Sequence, residues 1–218
     1  MKLIFMGANE QEIPFIIRWG ERHQIAIEVV SENLSLENSH KTKGYDGICF
    51  YPNQEMATDP RLYQALKENG IKVLSVKSTG VDGINFDFAR QYQLTVTNVP
   101  AYSPTSVGHF AIMLILMTLR QVPNYLSESN RKAHMGRELS DVTVGILGTG
   151  RIGSLVADNL LAMGANVIAC GNQENINLKT KGMSYVNFDT LLEKSDVISI
   201  HIPASTQNYH LLSTDVFH

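Results

Sequence analysis

Cysteine, surplus positive charge and long hydrophobic runs are all scarce in this 218-residue chain. Its two cysteines, Cys49 and Cys170, cannot build a disulfide framework or a four-cysteine zinc site. No metal ligand set is assigned. With 18 Lys+Arg against 21 Asp+Glu, the net charge is −3. The basic footprint that nucleic-acid phosphates demand is therefore missing. The longest apolar run, 110–119, is interrupted by Thr118 and falls short of the roughly 20 residues of a membrane span. The opening apolar stretch is followed at once by Asn9, Glu10 and Glu12 and is too short for a secretion signal. These absences predict a reduced, cytoplasmic setting with neither nucleic acid nor membrane as partner. The sequon Asn33-Leu34-Ser35 is then incidental.

What is present is globular. A hydrophobic content of 44% with 18% charged residues excludes disorder and allows one large domain or two modest ones, each with a core. Up to residue 101, strand-like segments at 2–6, 25–30, 48–51, 71–76 and 94–96 alternate with helical patterns at 10–22, 60–69 and 85–92. That alternation predicts a parallel, flavodoxin-like α/β domain of five strands. Ser103-Pro104 then opens a helix by side-chain cap and first-turn proline. The helix is apolar almost all round and must be buried on most sides, within the chain or against a partner. The charge run 127–132 reads as a solvated helix face. A second alternating unit follows, with strands at 142–147, 165–170, 183–186 and 196–200 and helices at 151–163 and 189–194.

Between the strand at 142–147 and the helix at 151–163 stands Gly148-Thr149-Gly150-Arg151-Ile152-Gly153, a G-x-G-x-x-G. Its position between a strand and a helix makes it informative. Gly148 permits a tight turn, Gly150 lets a pyrophosphate approach, and Gly153 lets helix and strand pack closely. Helix N–H groups then face the anion. The bland alternative is a glycine-rich turn without ligand. A carboxylate for the ribose hydroxyls is expected at the end of the next strand. Here that place reads Cys170-Gly171-Asn172-Gln173, with Glu174 as the first acid. Asn172 or Gln173 is left to bond the ribose, and NAD is expected over NADP.

Three segments in order resemble the D-isomer-specific 2-hydroxyacid dehydrogenases, the D-lactate and D-2-hydroxyisocaproate type including the vancomycin-resistance enzymes. They are Lys77-Ser78-Thr79-Gly80-Val81-Asp82-Gly83-Ile84, Thr97-Asn98-Val99-Pro100-Ala101-Tyr102-Ser103-Pro104, and Thr143-Val144-Gly145-Ile146-Leu147 running into the glycine motif. The resemblance implies a substrate domain over 1–101 and an incomplete Rossmann NAD-binding domain over 102–218. It implies interconversion of a 2-keto acid, pyruvate or similar, with the D-2-hydroxy acid. Ser78, Thr79 and Gly80 would offer N–H groups to the substrate carboxylate, and Tyr102 would face the same place. Gly148, Gly150, Arg151, Ile152, Gly153, Asn172, Ile202, Pro203 and Asn208 match cofactor positions. Helix 103–122 would form a homodimer interface.

Several residues keep a structural alternative. Asp82 can cap a helix turn, Tyr102 can be a packed junction aromatic, and Lys77, where relatives carry arginine, can be a solvated strand end. His109 stands where relatives carry an acid. His201 reads as a structural histidine and Cys170 as a small buried hydrophobe. The family's catalytic arginine, glutamate and histidine match nothing here, so no catalytic residue is assigned. The chain then reads either as a truncated dehydrogenase, as an inactive dinucleotide-binding and dimerising module, or as an enzyme completed by a partner chain. A half-open sheet also predicts an unpaired edge and an uncovered apolar face.

Overall fold

The computed structural model describes residues 1–126 and 135–217. It divides into two compact units, Met1–Tyr102 and Ser103–His218. The expected solvated face at 127–132 lies outside the described residues.

The first unit runs β1 (Lys2–Met6), α1 (Ile13–His23), β2 (Ala26–Val30), β3 (Gly47–Phe50), α2 (Gln54–Thr58), α3 (Pro60–Glu68), β4 (Val73–Val76), α4 (Phe86–Gln91) and β5 (Thr95–Thr97). All strand pairs are parallel, in the order β2-β1-β3-β4-β5. Alternation along the strands sends Ile4, Met6, Ile48, Phe50, Leu74 and Val76 to one face, where they pack with Met56, Leu62, Leu66 and Ala89. Local chemistry sets the helix starts. Asp59 accepts the Arg61 N–H at 2.9 Å ahead of Pro60, and Asn85 accepts from Asp87 and Phe88. Tyr63, fully buried, joins three helices: its hydroxyl donates to the Met56 carbonyl at 2.6 Å and accepts the Asn85 N–H at 2.9 Å. On the other face of the sheet, an apolar groove of about 610 Å³ lies among Leu3, Phe5, Phe15, Ile16, Trp19 and Val73.

The second unit runs α5 (Pro104–Leu119), α6 (Val122–Leu126), β6 (Thr143–Leu147), α7 (Arg151–Ala162), β7 (Asn166–Cys170), α8 (Ile176–Thr180), β8 (Ser184–Tyr185), α9 (Phe188–Lys194) and β9 (Val197–Ile200). Its strands are parallel in the order β8-β7-β6-β9. Val144, Ile146, Val156, Leu160, Val167 and Ala169 form its core with Ile112 and Ile115 of α5. The β9 edge is unpaired on its outer side among the described residues, and Ile200 at its end is exposed.

Several expectations need correction. The helix expected over 103–122 ends at Leu119, because Gln121 takes a left-handed φ of 52° and Pro123 has no N–H with which to continue it. Ser103 makes no side-chain cap; its hydroxyl is 2.6 Å from that of Ser106 instead. Three five-residue helices, α2, α6 and α8, have no readable periodicity.

Candidate functional site

The glycine motif sits where β6 hands over to α7. Parallel pairing brings the end of β7 alongside, so that the Gly148 N–H donates to the Cys170 carbonyl at 2.8 Å. Gly148 is buried at φ 93°, and a Cβ there would lie 2.7 Å from the Ile202 side chain and 3.0 Å from the His201 carbonyl oxygen. Gly153 is tighter still: its Cβ would overlap the Gly148 carbonyl oxygen and come within 3.1 Å of the His201 Cβ. Gly150 differs. A Cβ there meets nothing within 4 Å, so the first turn of α7 opens onto free space. The motif is closed behind two glycines and open before the third, and this vacancy lies at the positive end of a twelve-residue helix. The donor set suits a diphosphate.

His201 is the floor of this turn, a part the residue pattern alone did not reveal. Its N–H donates to the Leu147 carbonyl at 2.7 Å and its Nε2 lies 2.9 Å from the Ser199 hydroxyl. Burial pushes the imidazole pKa down, which favours the neutral ring. Ile152 packs against the main core of the unit and Ile202 against the cluster of Leu147, Ile168 and Leu191. Pro203 is exposed, and the Asn208 amide closes the loop after β9, donating to the Pro203 carbonyl and accepting from the Ser205 N–H, each at 2.7 Å. Asn172 is exposed just beyond β7. Thr149 is pinned by Tyr185, whose hydroxyl lies 2.8 Å from its Oγ1 and accepts the Asn175 N–H. Ser154 donates to the Thr149 carbonyl at 2.8 Å. Cys170 is half-buried, and burial raises its thiol pKa.

In the first unit, the loop after β4 lies at the carboxyl ends of the strands, where open parallel sheets bind ligands. Its side chains turn inward to the backbone. Ser78 donates to the Gly80 carbonyl at 2.7 Å and Thr79 to the Val99 carbonyl at 2.8 Å, while the Asn98 amide donates to the Thr79 carbonyl. The N–H groups of Ser78, Thr79 and Gly80 donate to no group among the described residues. Tyr102 is exposed, near enough to Tyr51 to act on it electrostatically.

Lys77 is not a solvated strand end. Its side chain is only 13% exposed, with Nζ 3.1 Å from Glu12, 3.2 Å from the Gly7 carbonyl and 4.4 Å from the centre of the Tyr51 ring. Burial opposes ionisation of Glu12, but the Asn9 N–H and the Lys77 ammonium outweigh it and hold the carboxyl below its usual pKa. Burial first, then the Glu12 charge, push the Tyr51 phenol up. No single-segment signal links Glu12, Tyr51 and Lys77, because Glu12 precedes α1 while Tyr51 follows β3 and Lys77 follows β4. His109 is exposed beside an apolar groove on α5. No cluster of three or more metal-ligating side chains occurs among the described residues, and no helix there is long and apolar enough to cross a membrane.

Comparison with known proteins agrees along the whole chain. Residues 112–218 match the model of the D-isomer specific 2-hydroxyacid dehydrogenase NAD binding domain. The chain is 34% identical to a D-2-hydroxyacid dehydrogenase (NAD(+)) of Clostridioides difficile, over 99% of this chain and 67% of that protein. It superposes on the apo-structure of D-lactate dehydrogenase from Escherichia coli with a TM-score of 0.86 at 26% identity, covering all of this chain and 70% of that one. The Aquifex aeolicus D-lactate dehydrogenase complexed with NAD and lactic acid gives a TM-score of 0.82 at 27% identity, with 98% of this chain and 64% of that one covered. The chain thus spans about two thirds of the length of these relatives. It belongs to the D-isomer-specific 2-hydroxyacid dehydrogenase family.

Proposed function

We propose that these residues carry the cofactor-anchoring and substrate-carboxylate-binding parts of an NAD-dependent dehydrogenase that interconverts a small 2-keto acid, such as pyruvate, with its D-2-hydroxy acid. The observation that carries this reading is the glycine turn, closed behind Gly148 and Gly153 and open before Gly150. Gly148, Gly150, Arg151, Ile152 and Gly153 would hold the pyrophosphate, Asn172 the ribose, and Ile202, Pro203 and Asn208 the wall beyond β9. When bound, the nicotinamide supplies or accepts the hydride. In the first unit, the N–H groups of Ser78, Thr79 and Gly80, which donate to no group among the described residues, would be three donors for a carboxylate, and Tyr102 would join them. The first unit would be the substrate domain and the second the cofactor domain.

The alternative reading, a dinucleotide-binding and dimerising module without turnover, is favoured by the missing acid at Gly171. Calorimetry with ADP-ribose tests the cofactor half: binding in the micromolar range is expected, and none at all would overturn the proposal. NADH-linked reduction of pyruvate or a branched 2-keto acid separates the two readings. Weak or absent turnover is expected for these 218 residues, and robust turnover would overturn the module reading.

The helix α5 supports a homodimer. Gly108, Ile112, Ile115 and Leu119 face inward, leaving Val107, Phe110, Met113 and Leu114 exposed on an apolar face. Sedimentation should find a dimer, and a clean monomer at all concentrations would count against it.

A further inference from the structure

A cavity of about 360 Å³ opens beside the glycine turn, lined by Thr149, Gln173, Glu174, Asn175, Ile176 and Asn177. Its place, between the phosphate turn and the end of β7, is where the adenosine ribose of a bound dinucleotide lies in this architecture. A carboxylate at the strand end performs two tasks in such a site. It accepts a hydrogen bond from the 2′-hydroxyl and it repels a 2′-phosphate. In this chain the residue next after β7 is Gly171, which is exposed and abuts the turn: a Cβ there would lie 3.5 Å from both the N and the Oγ1 of Thr149.

Glu174, the charged residue of the cavity lining, is paired. Glu174 binds Lys179 at 2.6 Å, and Lys181 binds Asp158. The remaining polar lining is neutral: amides of Gln173, Asn175 and Asn177 and the Thr149 hydroxyl. Asn175 is fixed by capping α8 and by its bond to Ser154, so the wall is held in place.

We propose that Gly171 makes the adenosine end of this site indifferent to a 2′-phosphate, so that the chain binds NADP(H) and NAD(H) with comparable affinity. The inference rests on the cofactor reading above and extends it to a second nucleotide. No carboxylate stands at the end of β7 to repel the phosphate, and Glu174, the acid nearest in sequence, is engaged by Lys179. Lys179 and Lys181, the two lysines nearest after β7, are each held by a carboxylate.

The test is calorimetric titration of the 218-residue protein with ADP-ribose and with 2′-phospho-ADP-ribose, which probe this end without the nicotinamide. The two should bind within about tenfold of each other, since no carboxylate at the end of β7 repels the phosphate. Gly171→Asp should raise the preference for ADP-ribose by at least about thirtyfold, and salt should shrink that gain. The backbone at Gly171 is not left-handed and the added Cβ makes only ordinary contacts, so the variant should fold. Gly171→Ala controls for shape and should leave the ratio unchanged. A wild-type preference for either nucleotide above about tenfold would overturn this inference while leaving the cofactor reading intact, and so would an unchanged ratio in Gly171→Asp. Binding of neither nucleotide would overturn the cofactor reading itself and this inference with it.

Discussion

A single methyl group distinguishes the glycines of the turn. At Gly153 it would overlap the Gly148 carbonyl oxygen, a backbone atom that cannot swing aside. Gly153→Ala should therefore destabilise the second unit by about 3 kcal/mol, read by urea unfolding. At Gly150 the same methyl meets nothing, and the backbone there is extended with φ −70°. Gly150→Ala should leave the unfolding midpoint within error yet weaken ADP-ribose binding at least tenfold, about 1.4 kcal/mol or more. Equal loss of stability in both variants would show that Gly150 serves the fold alone. His201 gives the turn a pH dependence. Its folded pKa lies below the unfolded value of about 6.5, so the unfolded chain takes the proton first as pH falls. The neutral ring's contribution is present at neutral pH and is lost on acidification through about 6.5 and below. Melting of His201→Gln should lack that part of the acid slope; an identical slope would remove His201 as its source. A histidine in an isolated strand-end context carries no sign of this duty, because its partner Gly153 is 48 residues away in sequence.

Elements are tied together by a few buried polar groups. The Tyr63 hydroxyl bridges the end of α2 to the start of α4 from its place on α3. Tyr63→Phe leaves the Asn85 N–H and the Met56 carbonyl only their own 3.3 Å bond, and should cost the first unit about 1 kcal/mol in denaturant unfolding. A change under a few tenths would mean that water replaces the hydroxyl. On α5, Phe110→Asp charges the exposed face without touching the contact of Gly108 with Leu155 and Val156. It should convert the expected dimer to monomer in sedimentation while leaving helicity unchanged. The long elements are legible in the amino-acid pattern itself. Strands with continuous apolar runs, such as β6, and helices of nine or more residues, such as α3 and α7, carry their own period. Helices α2 and α8, at five residues, do not. The left-handed Gln121 that ends α5 has no composition signal either.

Across the whole chain, two separate cores place the glycine turn wholly within residues 103–217 and the proposed carboxylate donors, Ser78, Thr79 and Gly80, wholly within 1–102. Ligand linkage should then act locally. Saturating ADP-ribose, at about a hundredfold over its Kd, should stabilise the second unit by about 2.7 kcal/mol. Hydrogen exchange should slow at 148–154 and 171–175 and remain unchanged in the first unit; uniform protection would contradict this division. Read alone, the order of residues determined the alternation of strands and helices, the strand–turn–helix setting of Gly148, Gly150 and Gly153, and the lack of an acid after β7. Those are local properties, written in period and in spacing. Only folding decided that Lys77 is buried against Glu12 and Tyr51, that His201 floors the glycine turn, and that Gly171 abuts Thr149. Each of these joins residues that parallel pairing brings together from distant strands, and register across a sheet is fixed by the packing of the whole core.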